Sequence, residues 1–367
     1  MKMLYGLLLM LSLLYVFSSP LQADGTKHSI FDLIEGEEVI EMTIVTDLRE
    51  IIENRRLDEY IPALITWHSK KAGREAFEIK VKPRGKYRRK ICPFPPLKLN
   101  FDKDELKARN LSKHDKLKLV THCIEDRGES KQNVLKEYLA YKLYNELTPY
   151  SFRVQLVHIT YVDERGLYAK RKRFGFIIED NDQLADRVGG EVCDCLNPEI
   201  GRVASHEERL VGFFQYMIGN EDWDMAMGRN LEMVEQSSTG QLIPVPYDFD
   251  FSGFVNPVYA LPNRDYELTT VTDRYYLGRI VDNGQIEETF AFFQSKRSNL
   301  EAVLENFSLF NNRQQRKMLA YLDSFYKNME MITAQQEESW FALMKKAGRS
   351  HDQTLPVIEV SNSQMSK

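Results

Sequence analysis

The sequence has few cysteines and histidines and no large excess of charge. Its 367 residues include 4 Cys and 7 His, and 49 Lys+Arg stand against 54 Asp+Glu, a formal net charge of -5. Nonspecific nucleic-acid binding needs a basic excess that this composition lacks, so nucleic acid is not an expected partner. The histidines are scattered and no His-Glu-x-x-His motif occurs, which argues against zinc hydrolases and Ser-His-Asp hydrolases.

Long apolar runs are also scarce, and the one clear case lies at the N-terminus. Residues 3–17 are almost wholly apolar, Lys2 is the only charge before them, and a short segment ending in Ala23 follows. This order predicts a secretory signal peptide over residues 1–23. An uncleaved anchor is the alternative, but the run is shorter than the ~20 residues that span a bilayer. We therefore expect an exported protein, periplasmic or extracellular, with no stable membrane span after cleavage.

The four cysteines are Cys92, Cys123, Cys193 and Cys195. In an oxidising compartment they could form two disulfides in any of three pairings. The short spacing between Cys193 and Cys195 disfavours a bond between them, so cross-links to Cys92 and Cys123 are the favoured prediction. Zinc binding is the competing interpretation, but the sequence lacks a Cys-x-x-Cys pair.

Hydrophobic periodicity divides the mature chain into a strand-rich part and a helical part. Alternation predicts strands, and three-to-four spacing predicts helices. The predicted strands are 38–44, 76–82, 95–101, 116–120, 153–161 and 174–178, the last two around a basic turn at 170–173, and the predicted helices are 130–147, 207–218 and 312–332. We thus expect a strand-rich lobe with one helix over 24–180, a helical lobe over 181–348 and a disordered tail over 349–367.

Two short segments place acidic residues directly after apolar elements. Asp222 and Asn230 follow the helix predicted to end at 218, and Asp248 and Asp250 follow the apolar run before 247. Phosphoryl transfer uses one carboxylate to accept a proton, with a neutral oxygen and a second carboxylate to hold Mg²⁺. Asp248 and Asp250 flank Phe249 and should point the same way, and like charges repel unless a cation or an arginine lies between them. This favours a metal ion there.

At these residues the sequence resembles the spore-coat protein H (CotH) kinase family, a divergent branch of the protein-kinase-like fold. The most specific matches are Gly219-Asn220-Glu221-Asp222 and Pro246-Tyr247-Asp248-Phe249-Asp250. The turn at Arg84-Gly85, the Lys98 strand over 94–101 and the helix over 133–147 extend the resemblance to most of 76–260.

The resemblance implies a two-lobed α+β fold with a strand-rich N-lobe, a helical C-lobe and a nucleotide between them. It implies transfer of a phosphoryl group from ATP, with Mg²⁺ or Mn²⁺, to a hydroxyl of a protein Ser or Thr. The implied roles are Asp222 as the catalytic residue, Asn230, Asp248 and Asp250 as metal ligands, Lys98 on the phosphates with Glu137 as its helix partner, and Arg84 at the phosphate-covering turn.

The sequence departs from the kinase pattern, and these departures keep alternatives open. Asp222 and Asn230 are eight residues apart where a protein kinase has five, although a bulged loop could close the gap or Asp224 could replace Asp222. No Gly-x-Gly-x-x-Gly loop occurs. Lys116 and Lys118 offer the same geometry as Lys98. A non-catalytic kinase-like scaffold and a nucleotidyl transferase are therefore rival functions, whereas a glycosidase would leave Asn230 without a role.

Overall fold

The computed structural model describes residues 27–346 except 37, 57, 281, 336 and 337. The expected signal peptide at 1–23 and the expected tail at 349–367 lie outside the described residues. Within the described part of the chain, none of the helices combines the length and apolar character needed to cross a bilayer.

The strands of the first half close into a seven-stranded barrel. They are β1 (Ile40–Thr46), β2 (Ile61–Ser69), β3 (Gly73–Pro83), β4 (Leu97–Phe101), β5 (Lys116–Val120), β6 (Val154–Asp163) and β7 (Arg171–Ile178). Their order is β1-β2-β3-β4-β5-β7-β6, and β1 pairs in parallel with β6 to close the barrel. A closed barrel differs from the usual N-lobe of a protein kinase.

Alternating side chains fill the barrel interior. On β3, Phe77, Ile79 and Val81 are buried, whereas Lys80 between them is exposed. Leu97 and Leu99 of β4 are fully buried in the same cluster. Because the pleat directs successive side chains to opposite faces, the lysines between these apolar residues all lie outside the barrel.

Five helices accompany the barrel, and the longest packs between it and the second half of the chain. They are α1 (Ile30–Ile34), α2 (Leu48–Glu53), α3 (Arg88–Ile91), α4 (Lys103–Ala108) and α5 (Arg127–Leu147). Helix α5 begins at the N-cap Asp126, whose side chain accepts from the Glu129 amide. Its buried face joins a core that also contains the C-terminal helices, so α5 connects the two halves.

The second half contains helices around a small sheet. Its elements are α6 (Asn181–Arg187), β8 (Gly190–Cys193), α7 (Ser205–Ile218), β9 (Leu231–Gln236), β10 (Leu242–Pro246), α8 (Asn283–Glu305), α9 (Asn312–Thr333) and α10 (Trp340–Met344). The sheet order is β10-β9-β8, all antiparallel. The described chain is thus a mixed α+β structure with a strand-rich first half and a largely helical second half.

The disulfide pairing differs from the favoured prediction. Cys92 bonds to Cys123, and Cys193 bonds to Cys195. The chain leaves β8 at Cys193 and brings the Cα atoms of Cys193 and Cys195 to 5.1 Å, within the range that a disulfide spans. The short spacing that argued against this bond is therefore compatible with it.

The predicted basic turn is also corrected. The basic residues from Arg171 onward belong to strand β7, and Arg173 is buried. The turn lies earlier, where the Asp163 carboxylate accepts from the Leu167 amide at 2.6 Å. The Asp163 carboxylate stabilises the turn that follows β6. Residues 171–173 are therefore not part of that turn.

Candidate active site

The two acidic segments are joined to each other through their backbones. The amide of Gly253 donates to the Gly219 carbonyl at 2.8 Å, and the amide of Phe254 donates to the Ile218 carbonyl at 2.9 Å. Gly219 ends α7 in the left-handed conformation, with φ of 61°. A side chain at Gly219 or Gly253 would meet the Tyr321 hydroxyl, so both positions need glycine for this approach.

Asp222 lies just beyond this junction. Its amide donates to the side chain of Asn220 at 3.1 Å, and the amide of Asn220 is itself anchored on Gln215 at 2.9 Å. Burial, followed by the nearby charge of Asp248, raises the pKa of the Asp222 carboxyl. A carboxylate with a raised pKa is better suited to accept a proton near neutral pH.

A tight hairpin fills the long spacing between Asp222 and Asn230. The backbones of Asp224 and Arg229 exchange two hydrogen bonds, at 3.1 and 2.9 Å. The Asp224 carboxylate accepts from the Met227 amide at 2.7 Å. The hairpin brings the side-chain amide of Asn230 to 3.1 Å from the Asp222 carboxylate. Asp224 thus stabilises the turn while Asp222 lies beside Asn230.

Asp248 meets this pair from the end of β10. The Tyr247 amide donates to the Asn230 carbonyl at 3.0 Å, and the Asp248 amide donates to the Tyr141 hydroxyl at 2.8 Å. Asn230 and Asp248 both have positive φ, 54° and 64°. Non-glycine residues rarely adopt this conformation, and such strain is concentrated at functional sites. The structure thus brings Asp222, Asn230 and Asp248 together.

The buried guanidinium of Arg88 lies among three carboxylates. It pairs with Glu137 at 2.8 Å, with Asp250 at 2.8 Å and with Asp248. The side chains of Arg88, Glu137 and Asp250 are each less than 10% exposed. One cation cannot neutralise three acids, and burial, together with Asp248 and Glu137, holds the pKa of Asp250 well above its usual range.

These contacts change the interpretation of two predicted residues. Glu137 was expected to pair with Lys98, but its partner is Arg88, which reaches it from α3. Asp250 directs one carboxylate oxygen to Arg88, and the Tyr259 hydroxyl donates to the same oxygen at 3.4 Å. Arg88 thus lies between Asp248 and Asp250. The sequence favoured a metal ion at this place, with an arginine as the alternative.

A row of lysines crosses the outside of the barrel. Lys82, Lys98 and Lys118 are directly opposite one another on β3, β4 and β5. Like charges in this arrangement repel. Lys82 is paired with Asp58 at 3.0 Å, whereas Lys98 and Lys118 make no salt bridge with any described residue.

Lys118 connects this row to the acidic loops. Its ammonium lies 4.5 Å from the Phe152 ring centroid and 5.0 Å from that of Tyr247, the residue before Asp248, and it donates to the Asn181 side chain. Burial, followed by repulsion from Arg84, lowers the pKa of Lys118 to about 7. Burial also lowers the pKa of Lys98. An anion bound here would relieve the repulsion.

Glu221 is a further residue of the site that sequence reasoning missed. Burial raises its pKa to about 8, and its Oε1 atom has no hydrogen-bond partner among the described residues. It lines an open cavity of about 350 Å³ with Asp222, Arg229 and Tyr87. In the sequence, Glu221 was the residue between Asn220 and Asp222 to which no role was assigned.

The site offers oxygen donors to a divalent cation. The Asn230 amide nitrogen points to Asp222, which leaves its Oδ1 atom as an acceptor, and amide and carboxylate oxygens suit Mg²⁺. Among the described residues, no three His, Cys, Asp or Glu side chains gather as a metal cluster. Asn230 and Asp248 are thus two oxygen donors of the type that suits such an ion, and Asp248 is also paired with Arg88.

The comparisons with known proteins give structural likenesses but no sequence match. No protein-family profile matches the chain, and no curated protein sequence matches it. A crystal structure of a Helicobacter pylori proinflammatory kinase, CtkA, is similar to it. The two share 9% identity at a TM-score of 0.38, over 65% of this chain and 93% of that one. A likeness at this level carries no argument, so the function is inferred from the side chains.

Proposed function

We propose that the protein is an exported, kinase-like phosphotransferase that moves a phosphoryl group from a nucleotide, ATP in the first instance, to a hydroxyl of a protein Ser or Thr. The observation that carries this proposal is the convergence of Asp222, Asn230 and Asp248 beside the row formed by Lys98 and Lys118. Proton acceptor, cation ligands and phosphate-binding cations are the parts that phosphoryl transfer requires.

The chain's own residues supply binding and proton transfer. Lys98, Lys118 and Arg84 bind the phosphates, whose negative charge offsets the repulsion among these cations. Asp222 accepts the proton of the acceptor hydroxyl, and that oxygen attacks the terminal phosphorus. The bond from this phosphorus to its bridging oxygen breaks, and the electron pair stays with the nucleoside diphosphate.

Asn230 and Asp248 would hold Mg²⁺ or Mn²⁺, which when bound neutralises charge on the phosphates. The Asn230 amide also fixes the Asp222 carboxylate, so that one oxygen is directed to the acceptor. This second role of Asn230 rests on its hydrogen bond to Asp222 and does not require the cation.

Intact-mass measurement of the protein after incubation with ATP and Mg²⁺ or Mn²⁺ tests the proposal. We expect phosphoryl additions that Asp222→Asn abolishes. Asp224→Asn is the matched control, because it lies in the same loop and its carboxylate only holds the hairpin. Nucleotidyl additions would instead establish a nucleotidyl transferase, and unchanged labelling in Asp222→Asn would refute the role of Asp222.

One observation favours a second function, a non-catalytic kinase-like scaffold. Arg88 already pairs with Asp248 and Asp250, in the place where a cation cofactor would lie. A scaffold of this kind would show no mass gain and no nucleotide-dependent change in melting temperature, and this combination separates it from the enzyme.

A further inference from the structure

An open groove leads from solvent to the Asp222 carboxylate. Its volume is about 350 Å³, and its apolar walls are Tyr87, Phe251 and Leu261. The Tyr87 ring packs edge-on against Phe251 with ring centroids 5.4 Å apart, whereas the Leu261 side chain is 85% exposed. The side chain of Asp222 is 43% exposed, so a group bound in this groove can reach the proposed proton acceptor.

Exposed apolar side chains continue along the segments that flank the groove. Met227 lies on the hairpin beside Asp222, Val258 lies three residues before Leu261, and both are exposed. Arg229 lines the groove with most of its side chain exposed, and its guanidinium lies 3.9 Å from one Asp222 oxygen. Such a surface suits an extended polypeptide that carries apolar residues and an acid close to its acceptor hydroxyl.

The described chain ends near this groove. The amide of Tyr276 donates to the Met344 carbonyl at 3.1 Å, which fixes the end of α10 beside the loop that contains Tyr276. Three residues earlier on this loop, the Asp273 carbonyl lies 3.2 Å from the position of a side chain at Gly219. Gly219 is itself three residues before Asp222. At ~3.6 Å per extended residue, Met344 is therefore at most roughly 30 Å from Asp222.

The sequence beyond the described residues supplies a hydroxyl with sufficient reach. Residues 347–367, which include the expected tail, contain one apolar run, at 355–358. Thr354 directly precedes this run and is ten residues beyond Met344, a length that can span about 35 Å. Ser350 is the one hydroxyl between them, and six residues span only about 20 Å. Thr354 is thus the first hydroxyl whose reach exceeds the limit set by the contacts.

We propose that this C-terminal segment occupies the groove and that Thr354 is an acceptor of the phosphoryl group. The apolar run covers Leu261. Asp352 points the same way as Thr354, since residues two apart in an extended chain share a face, and it lies opposite Arg229. The threonine oxygen attacks the terminal phosphorus of the nucleoside triphosphate, and its proton passes to Asp222. The bond to the bridging oxygen breaks, and its electron pair stays with the diphosphate. The acceptor step rests on the proposed phosphotransferase function, whereas occupation of the groove does not.

Peptide mapping of the protein after incubation with ATP and Mg²⁺ tests the acceptor. We expect a phosphoryl group on Thr354, added at a rate per molecule that does not change with protein concentration, because the acceptor belongs to the same chain. Leu261→Ser should slow this labelling at least fivefold. Leu167→Ser is the matched control, because it removes an exposed leucine between β6 and β7, and it should leave the rate unchanged. Labelling of other residues only, or a rate that rises with protein concentration, would overturn the proposal and leave the phosphotransferase function in place.

A second arm needs no nucleotide. The photoreactive residue benzoylphenylalanine replaces Leu355, and the residue to which it cross-links on irradiation is mapped. We expect a cross-link within the same chain to Tyr87 or to residues 251–263, with a lower yield in Leu261→Ser. Cross-links elsewhere, or none within the chain, would overturn occupation of the groove. A cross-link in the groove without phosphoryl addition to any residue would confirm where the segment lies and count against the phosphotransferase function itself.

Discussion

The side-chain amide of Asn230 donates to the carboxylate of Asp222 at 3.1 Å, and the residues between them form a hairpin. The extra residues between them pair with one another through Asp224 and Arg229. The proposed site can therefore accommodate the longer segment between Asp222 and Asn230, because the added residues form a closed turn. The two ends of the loop stay fixed relative to each other.

The first prediction concerns pH. Asp222 must be ionised to accept a proton, and burial together with Asp248 raises its pKa. Asn230→Asp adds a second carboxylate beside it, which raises that pKa further. The acidic limb of the pH–rate profile should move to higher pH, with lower turnover below the limb. Asp224→Asn should leave the limb in place, and an unshifted limb in Asn230→Asp would contradict the role of Asp222.

The second prediction concerns Arg88. Arg88→Met leaves Glu137, Asp248 and Asp250 without their buried cation, and breaking such a cluster costs about 3–5 kcal/mol. Urea unfolding at neutral pH measures this loss of stability. Lys90→Met, an exposed change in the same short helix, should cost less than about 1 kcal/mol. Equal effects of the two substitutions would show that Arg88 is not central.

The third prediction concerns Lys118. With its pKa lowered to about 7, this side chain is mostly neutral at pH 8 in the free protein. Phosphates would favour the charged form, so nucleotide binding should take up about one proton. Calorimetry in buffers of different ionisation enthalpy measures that uptake. Lys118→Met should abolish it, and Lys80→Met on the exposed face of β3 should not.

The fourth prediction concerns Glu221. Its pKa is about 8 in the folded protein and near 4.5 when unfolded, so the folded state holds more protons between these values. The free energy of unfolding should therefore fall as pH rises through this window. Glu221→Gln should match the wild type near pH 5 and exceed it at pH 9 by on the order of 1–3 kcal/mol. A constant difference across the range would refute this assignment.

The fifth prediction separates the two disulfides. The Cys92–Cys123 bond closes a segment of 31 residues, and Cys193–Cys195 closes one of 2. Loop entropy assigns about 3–4 kcal/mol to the first and about 1–2 kcal/mol to the second. Denaturant unfolding of Cys92→Ser/Cys123→Ser and Cys193→Ser/Cys195→Ser should show this order. The reverse order would contradict the entropic account.

Much of the secondary structure could be predicted because its periodicity is local. The predicted strand at 116–120 matches β5, and the helices at 207–218 and 312–332 match α7 and α9 within two residues. The missed elements include two with weak patterns and one, β2, whose side chains alternate clearly over nine residues. Helix α8 mixes polar and apolar residues around its circumference, and β8 has four residues. The elements with strong patterns were enough to predict a strand-rich first half and a helical second half.

The site was predictable in its residue types and not in its partners. Asp222, Asn230 and Asp248 were predicted because they follow apolar elements in the order that phosphoryl transfer needs, and their roles stay predictions. Arg88 was one cation among seven between Lys80 and Lys90, and sequence does not show which of these turns inward. Arg88 turns inward because α3, which follows β3, packs near α5. Its partner Glu137 on α5 is 49 residues later in the sequence.

Closure of the barrel sets an order for folding. Strand β1 completes its pairing only when β6 arrives, since Glu41 lies opposite His158, 117 residues later. Pairing over such a separation is slow, and until it forms the free edge of β1 can pair with another chain. During synthesis the first strand therefore cannot complete its pairing until more than a hundred further residues have been made.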